Sequence, residues 1–224
     1  MRRFVFENSL SIVFLVLTLA AIVLQSLAGH RVFNEEAITH GSETVSYGRY
    51  LLSSHFGQAL LENWQSEYLQ FAVFALATVW FVQKGSNESK ELQSAGLESD
   101  QKQKIGGHAA SGASSWARAR GWRTRIYSNS LVLVMTAIWL ASWYTQSVTG
   151  WTEYNNEQRD HDEPTVSWGG YVTRPAFWED TLQNWQSEFL AVGSMAVLTI
   201  YLRQRGSPES KPVGAAHDET GTSG

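Results

Sequence analysis

Apolar residues along this 224-residue chain gather in four blocks separated by long polar stretches. The first block, Leu10 to Leu27, is interrupted only by Ser11, Thr18, Gln25 and Ser26, and it has roughly the 18 to 20 residues that cross a bilayer core. Comparable blocks run from Tyr68 to Val82, Leu131 to Val148 and Phe189 to Leu202. The second and fourth are short for a span unless the polar residues before them also enter the membrane. The mean hydropathy of -0.22 has the look of a soluble protein only because it averages these blocks with the polar stretches between them.

A shift of 121 residues superimposes Asn8–Lys90 on Asn129–Lys211 without a gap. Asn8-Ser9-Leu10 pairs with Asn129-Ser130-Leu131, Gln25-Ser26 with Gln146-Ser147, and Gly29 with Gly150. These matches predict an N-capped first helix that ends at a glycine. In the loop that follows, Asn34, Glu36, His40, Thr44-Val45-Ser46, Gly48, Tyr50 and Phe56 recur as Asn155, Glu157, His161, Thr165-Val166-Ser167, Gly169, Tyr171 and Phe177. Thr-Val-Ser reads as turn and capping chemistry before a short interfacial helix, and Pro175 suits the first position of the next helix. The longest identity is polar: Asn63-Trp64-Gln65-Ser66-Glu67 returns as Asn184-Trp185-Gln186-Ser187-Glu188. Each copy then closes on Gly-Ser-x-Glu-Ser-Lys, at Gly85–Lys90 and Gly206–Lys211, where the glycine suits a left-handed helix cap.

The arginine-led start of the chain also fits a signal peptide, but the equivalent block at 131–148 lies deep inside the sequence, so both are expected to be retained helices. Charge then orients them. Thirteen Lys and Arg fall at the termini and in the linker, against four (Arg31, Arg49, Arg159, Arg174) in the loops between paired blocks. Basic residues favour the cytoplasm, which places both termini and the linker inside and both loops outside. The organisation expected is a first hairpin at 1–85, a disordered cytoplasmic linker at 86–127, a second hairpin at 128–206 and a disordered tail at 207–224. The two hairpins then run parallel about an axis along the membrane normal. Alternating Trp and Arg from Trp116 to Arg125 suit an anionic inner leaflet, while so few charges argue against nucleic acid.

The absence of Cys removes disulfides, redox pairs and thiolate metal sites. No phosphate loop, dinucleotide fingerprint, nucleophile elbow or zinc-protease helix occurs, so enzyme chemistry has no foothold and no cofactor is implied. What remains is the polar cluster Gln25, Asn63, Gln65, Glu67 with its copy Gln146, Asn184, Gln186, Glu188. Counting back from Val82 puts Glu67 about 22 Å up its helix, and Gln25 lies about 24 Å above Ser9, so the two reach similar depth near the outer interface. Two readings stand: an interhelical hydrogen-bond clamp, or a proton or cation site on Glu67 and Glu188. The clamp is favoured because no further polar residues continue a path toward the cytoplasm. Glu36 with His40 and Glu157 with His161 stand four apart and would share one face of a short external helix; they form a second candidate, for a metal held by both copies, with a surface ion pair or helix-end contact as the favoured reading.

On these residues the chain resembles a family of bacterial membrane proteins classed as a domain of unknown function and carrying a doubled NWQSE motif. The resemblance rests on Asn8-Ser9-Leu10, Asn34 with Glu36, Thr165-Val166-Ser167, both NWQSE segments and both Gly-Ser-x-Glu-Ser-Lys ends. It departs at Asn156, where the first copy has Glu35. The resemblance implies the bacterial inner membrane and transfers no activity. The expectation is therefore an all-α membrane protein of four transmembrane helices in two tandem parallel hairpins, with short interfacial helices outside. Its expected role is a non-enzymatic envelope or scaffold protein, with a small proton or cation transporter or channel component as the alternative. Expected partners are the lipid bilayer and a membrane-protein partner or second copy.

Overall fold

The computed structural model describes residues 2–221; Met1 and the last three residues of the tail lie outside the described residues. Among the described residues the chain is all-helical, with no strand. In chain order the α-helices are α1 (Arg2–Glu7), α2 (Ser9–Thr39), α3 (Tyr47–Tyr50), α4 (Ser54–Trp80), α5 (Ser115–Arg118), α6 (Trp122–Ser128), α7 (Ser130–Asp160), α8 (Trp168–Tyr171) and α9 (Pro175–Tyr201). Two short 3-10 turns, Leu92–Ser94 and Gly106–His108, punctuate the linker. The bounds of α2, α3 and α4 recur in α7, α8 and α9 at the same offset of 121 residues.

Among the described residues two helices, α2 and α7, are long and apolar enough to cross a membrane. In α2 the only buried residue is Ser26, while Phe14, Leu15, Val16 and Leu17, successive steps of about 100° around the helix, are each more than half exposed. A helix that is apolar all round and yet unburied belongs in a solvent as apolar as itself. Each has 31 residues and so spans about 46 Å, well beyond a hydrocarbon core of about 30 Å.

Two expectations about the ends of α2 and α7 are corrected. Asn8 makes no capping bond to the start of α2; its amide donates back to the Phe4 carbonyl at 2.8 Å, and Asn129 does the same to Arg125 at 2.8 Å. Each asparagine thus closes the short helix before it. Gly29 does not end α2, which continues ten residues to Thr39. Its missing side chain serves packing: a Cβ at Gly29 would collide with the hydroxyl of Tyr50, a residue only 2% exposed. Gly150 likewise lies inside α7.

Gly85 and Gly206 do adopt left-handed backbone, at φ +83° and +82°, but beyond the helix ends at Trp80 and Tyr201. Here the repeated serines explain themselves. Ser89 Oγ accepts the Gln83 N–H at 2.8 Å and Ser210 Oγ accepts that of Gln204 at 2.9 Å, satisfying donors as the chain leaves each helix. Pro175 opens α9 as its fixed φ favours.

The chain divides into two compact units, each drawing on both halves of the sequence. One comprises the residues up to Leu60 with Val148–Trp168, and the other comprises Leu61–Ser147 with Gly169 onward.

Candidate functional site

In the first unit, the recurrent Asn34 and Asn155 shape the loops. Asn34 Oδ1 accepts the Val45 N–H at 2.8 Å while its Nδ2 donates to the Val45 carbonyl at 3.1 Å. Asn155 holds Val166 in the same way, at 2.8 and 2.9 Å. One side-chain amide so satisfies both backbone groups of an extended residue that no helix or sheet would otherwise pair. This accounts for the repetition of the valine between Thr and Ser, and Ser46, at the start of α3, makes no side-chain capping bond. The Val45 carbonyl also meets His30 Nε2 at 2.7 Å, and Trp151 Nε1, at the equivalent position, donates to Val166 at 2.7 Å. An indole only donates, so the equivalence assigns the His30 Nε2 proton as the bridging one.

Around this frame Ser26 and Tyr47 share a hydroxyl bond of 2.7 Å, and Ser54 donates to Glu153 at 2.7 Å. Tyr50 sits against His30, Phe33, His55 and Phe56, with ring centroids 5.6 to 5.8 Å apart. Burial, with the Glu153 charge adding to it, pushes the Tyr50 phenol above its ordinary value, so it stays a neutral donor and acceptor.

The expected Glu36 and His40 lie at the tip of α2 itself and not on a separate external helix, with His40 as the C-cap. His40 and His161 are brought together, their ring centroids 6.4 Å apart. Among the described residues no group of three or more His, Asp or Glu side chains is placed to hold a metal ion.

The NWQSE residues fall in the second unit, and identical letters meet different surroundings. Gln65 and Ser66 are buried, at 0% and 1% exposure, whereas Gln186 and Ser187 are exposed. The first-copy Asn63 and Glu67 are exposed, and Asn184 and Glu188 are half-buried. Conversely Gln146 is buried and Gln25 is exposed. One link between the two pentapeptides is a hydrogen bond of 2.8 Å from Trp185 Nε1 to Gln65 Oε1. Because the indole donates, the Gln65 oxygen must face it, which fixes the orientation of the amide. The Ser66 hydroxyl, which donates to the Asn63 carbonyl at 2.9 Å, also touches the Glu188 carboxyl, and Glu67 lies within Coulombic reach of that carboxyl.

Trp185 stands in an aromatic cluster that residue patterns alone do not reveal. Trp139 and Trp143 stack at 5.7 Å, both rings approach Trp185 at 6.2 and 5.9 Å, and Trp143 donates to Thr181 at 3.3 Å. The first copy carries Thr18 and Ile22 where these two tryptophans stand. That substitution pattern is the signal from which the asymmetry could have been read.

At the far ends of α4 and α9, Lys211 is 1% exposed and its ammonium donates to the carbonyls of Ala216, His217 and Glu219, each at 3.0 Å. Three acceptors around a buried charge fold the tail back on itself. The tail then reaches Gly85, whose N–H donates to Thr220 Oγ1 at 2.8 Å, and the Gly221 N–H donates to the Ser86 carbonyl at 3.0 Å.

Residues 1–222 match the family described as a domain of unknown function (DUF6766), and the chain belongs to that family. No curated protein and no solved structure matches it.

Proposed function

We propose that this chain is a four-span, non-enzymatic scaffold protein of the bacterial inner membrane, two copies of one helical hairpin side by side, with both termini and the linker cytoplasmic. In support, α4 and α9 follow the apolar helices α2 and α7 at a constant offset. Their 27 residues, about 40 Å of helix, suffice to cross a bilayer with the polar NWQSE turns near its outer face. The bilayer is the first partner on this reading, and a second membrane protein or a second copy is the object scaffolded.

The observation that carries the scaffold role is the bond from Trp185 to Gln65. The most exact repeat in the sequence is spent on joining α4 to α9, in a medium where hydrophobicity does not drive helices together and hydrogen bonds and packing must. A second reading keeps the Glu67 and Glu188 pair as a proton or cation site, favoured by the approach of Ser66 and Glu67 to the Glu188 carboxyl.

Reconstituted vesicles separate the two. The scaffold reading expects proton and alkali-cation flux no greater than in empty vesicles under an imposed gradient. A flux that disappears in the Glu67→Gln, Glu188→Gln double variant would replace it with the transport reading. Since the chain has no Cys, topology is checked by labelling Gly107→Cys, which should react from the cytoplasmic side alone.

A further inference from the structure

His40 and His161 occupy equivalent positions in the two copies, at the C-terminal tips of α2 and α7, and within the first unit their rings meet edge-on, centroids 6.4 Å apart and planes at 82°. Both side chains are exposed. The Nδ1 of His40 pairs with the carbonyl of Glu36 at 3.0 Å; a carbonyl only accepts, so Nδ1 carries the proton and Nε2 presents its lone pair outward. That is how a metal-binding imidazole is ordinarily oriented, by a backbone acceptor behind it.

The spacing suits a shared ion. A metal about 2.1 Å from one nitrogen of each ring lies about 3.2 Å from each centroid, so bent bridges hold centroids about 5 to 6 Å apart. The observed separation is within about 1 Å of that range, a small adjustment for two exposed side chains at helix ends. The surroundings are cation-attracting: two helix C-termini converge there, and Glu35, Glu36, Glu157, Asp160, Asp162 and Glu163 outnumber Arg159 in the adjoining sequence.

We propose that His40 and His161 together bind one imidazole-seeking transition-metal dication, of the copper, nickel or zinc class, which ties the tips of the two copies together. Imidazole donors select this class over magnesium or calcium, which prefer oxygen. With two protein ligands, water or an incoming donor fills the remaining positions, and the ion exchanges readily.

The test is a Cu2+ titration of the purified full chain at neutral pH, read by electron paramagnetic resonance. One equivalent should bind with hyperfine structure from two imidazole nitrogens. His40→Ala and His161→Ala should each lower the nitrogen count to one and weaken binding at least tenfold, while His108→Ala, in the linker, should leave it unchanged. Because both residues are exposed, the alanine variants should fold, which circular dichroism confirms. Single-nitrogen spectra in the unmodified protein, or alanine variants that bind as it does, would overturn the proposal. The outcome is independent of whether the vesicles conduct ions.

Discussion

Trp185 donates its indole N–H to the Oε1 of Gln65 at 2.8 Å, a bond between the two copies of one pentapeptide that neither copy makes within itself. Its disruption should be asymmetric. Trp185→Phe leaves the fully buried Gln65 amide without its one acceptor contact, and an abandoned buried polar group costs about 1–3 kcal/mol. Adding Gln65→Leu removes that group too, so the double variant should be more stable than Trp185→Phe alone. Thermal unfolding in detergent measures both. Additive losses would mean the bond contributes nothing.

Asn34 and Asn155 each hold both backbone groups of one loop valine, and Asn155 is the more deeply buried, at 4% exposure. Alanine at either position strands the valine N–H, while the valine carbonyl keeps its bond to His30 or Trp151. We expect losses of about 1–3 kcal/mol, larger for Asn155→Ala because water reaches the freed N–H less easily. Amide exchange at Val45 and Val166 reports the effect locally: each should lose protection only in its own variant. Equal exchange in both would place the loop restraint elsewhere.

Gly29 tests a sign. In an exposed helix Gly→Ala stabilises by about 1 kcal/mol, yet here the added methyl meets the Tyr50 hydroxyl. Overpacking against a buried ring costs about 1–3 kcal/mol, so Gly29→Ala should lower the melting temperature. Tyr50→Phe removes the colliding oxygen, and the pair Gly29→Ala, Tyr50→Phe should recover stability relative to Gly29→Ala. A stabilised single variant would mean Tyr50 moves aside freely.

How far these features were legible depends on what sets them. Apolar blocks and the constant offset mark α2 and α7 as membrane-competent helices, since length and composition decide that alone. The ends of those helices were less legible. A glycine at 29 reads as a stop, but its role is set by Tyr50, twenty-one residues away, and the amide of Asn8 had two ways to satisfy a helix end. The candidate site was legible as letters and not as surroundings. Gln65 is buried and Gln186 exposed because burial is decided by neighbours: Trp185 bonds Gln65 and itself packs on Trp139 and Trp143, which the repeat does not preserve. The meeting of His40 with His161 was open from the repeat as a possibility, whereas their spacing required the fold.

The repeated glutamates at the helix exits give a pH signature. Glu88 is half-buried, and burial raises its carboxyl above the ordinary Glu value of 4.5; the charge of Glu209 and a hydrogen bond with it push the same way, while the Asn87 amide opposes them. A carboxyl raised in the folded chain binds its proton more tightly there than in the unfolded chain. Its contribution is therefore complete below the ordinary value and diminishes as pH rises through the folded one. Between pH 4.5 and that higher value the unmodified protein should melt at progressively lower temperature as pH increases. Glu88→Gln keeps the shape and the bond to Glu209 without a titrating proton, so its melting curve should be flatter across the same window and lie higher at neutral pH. Melting temperatures from pH 4 to 8 in one detergent make the comparison, and an unchanged slope in Glu88→Gln would show that another group governs the dependence.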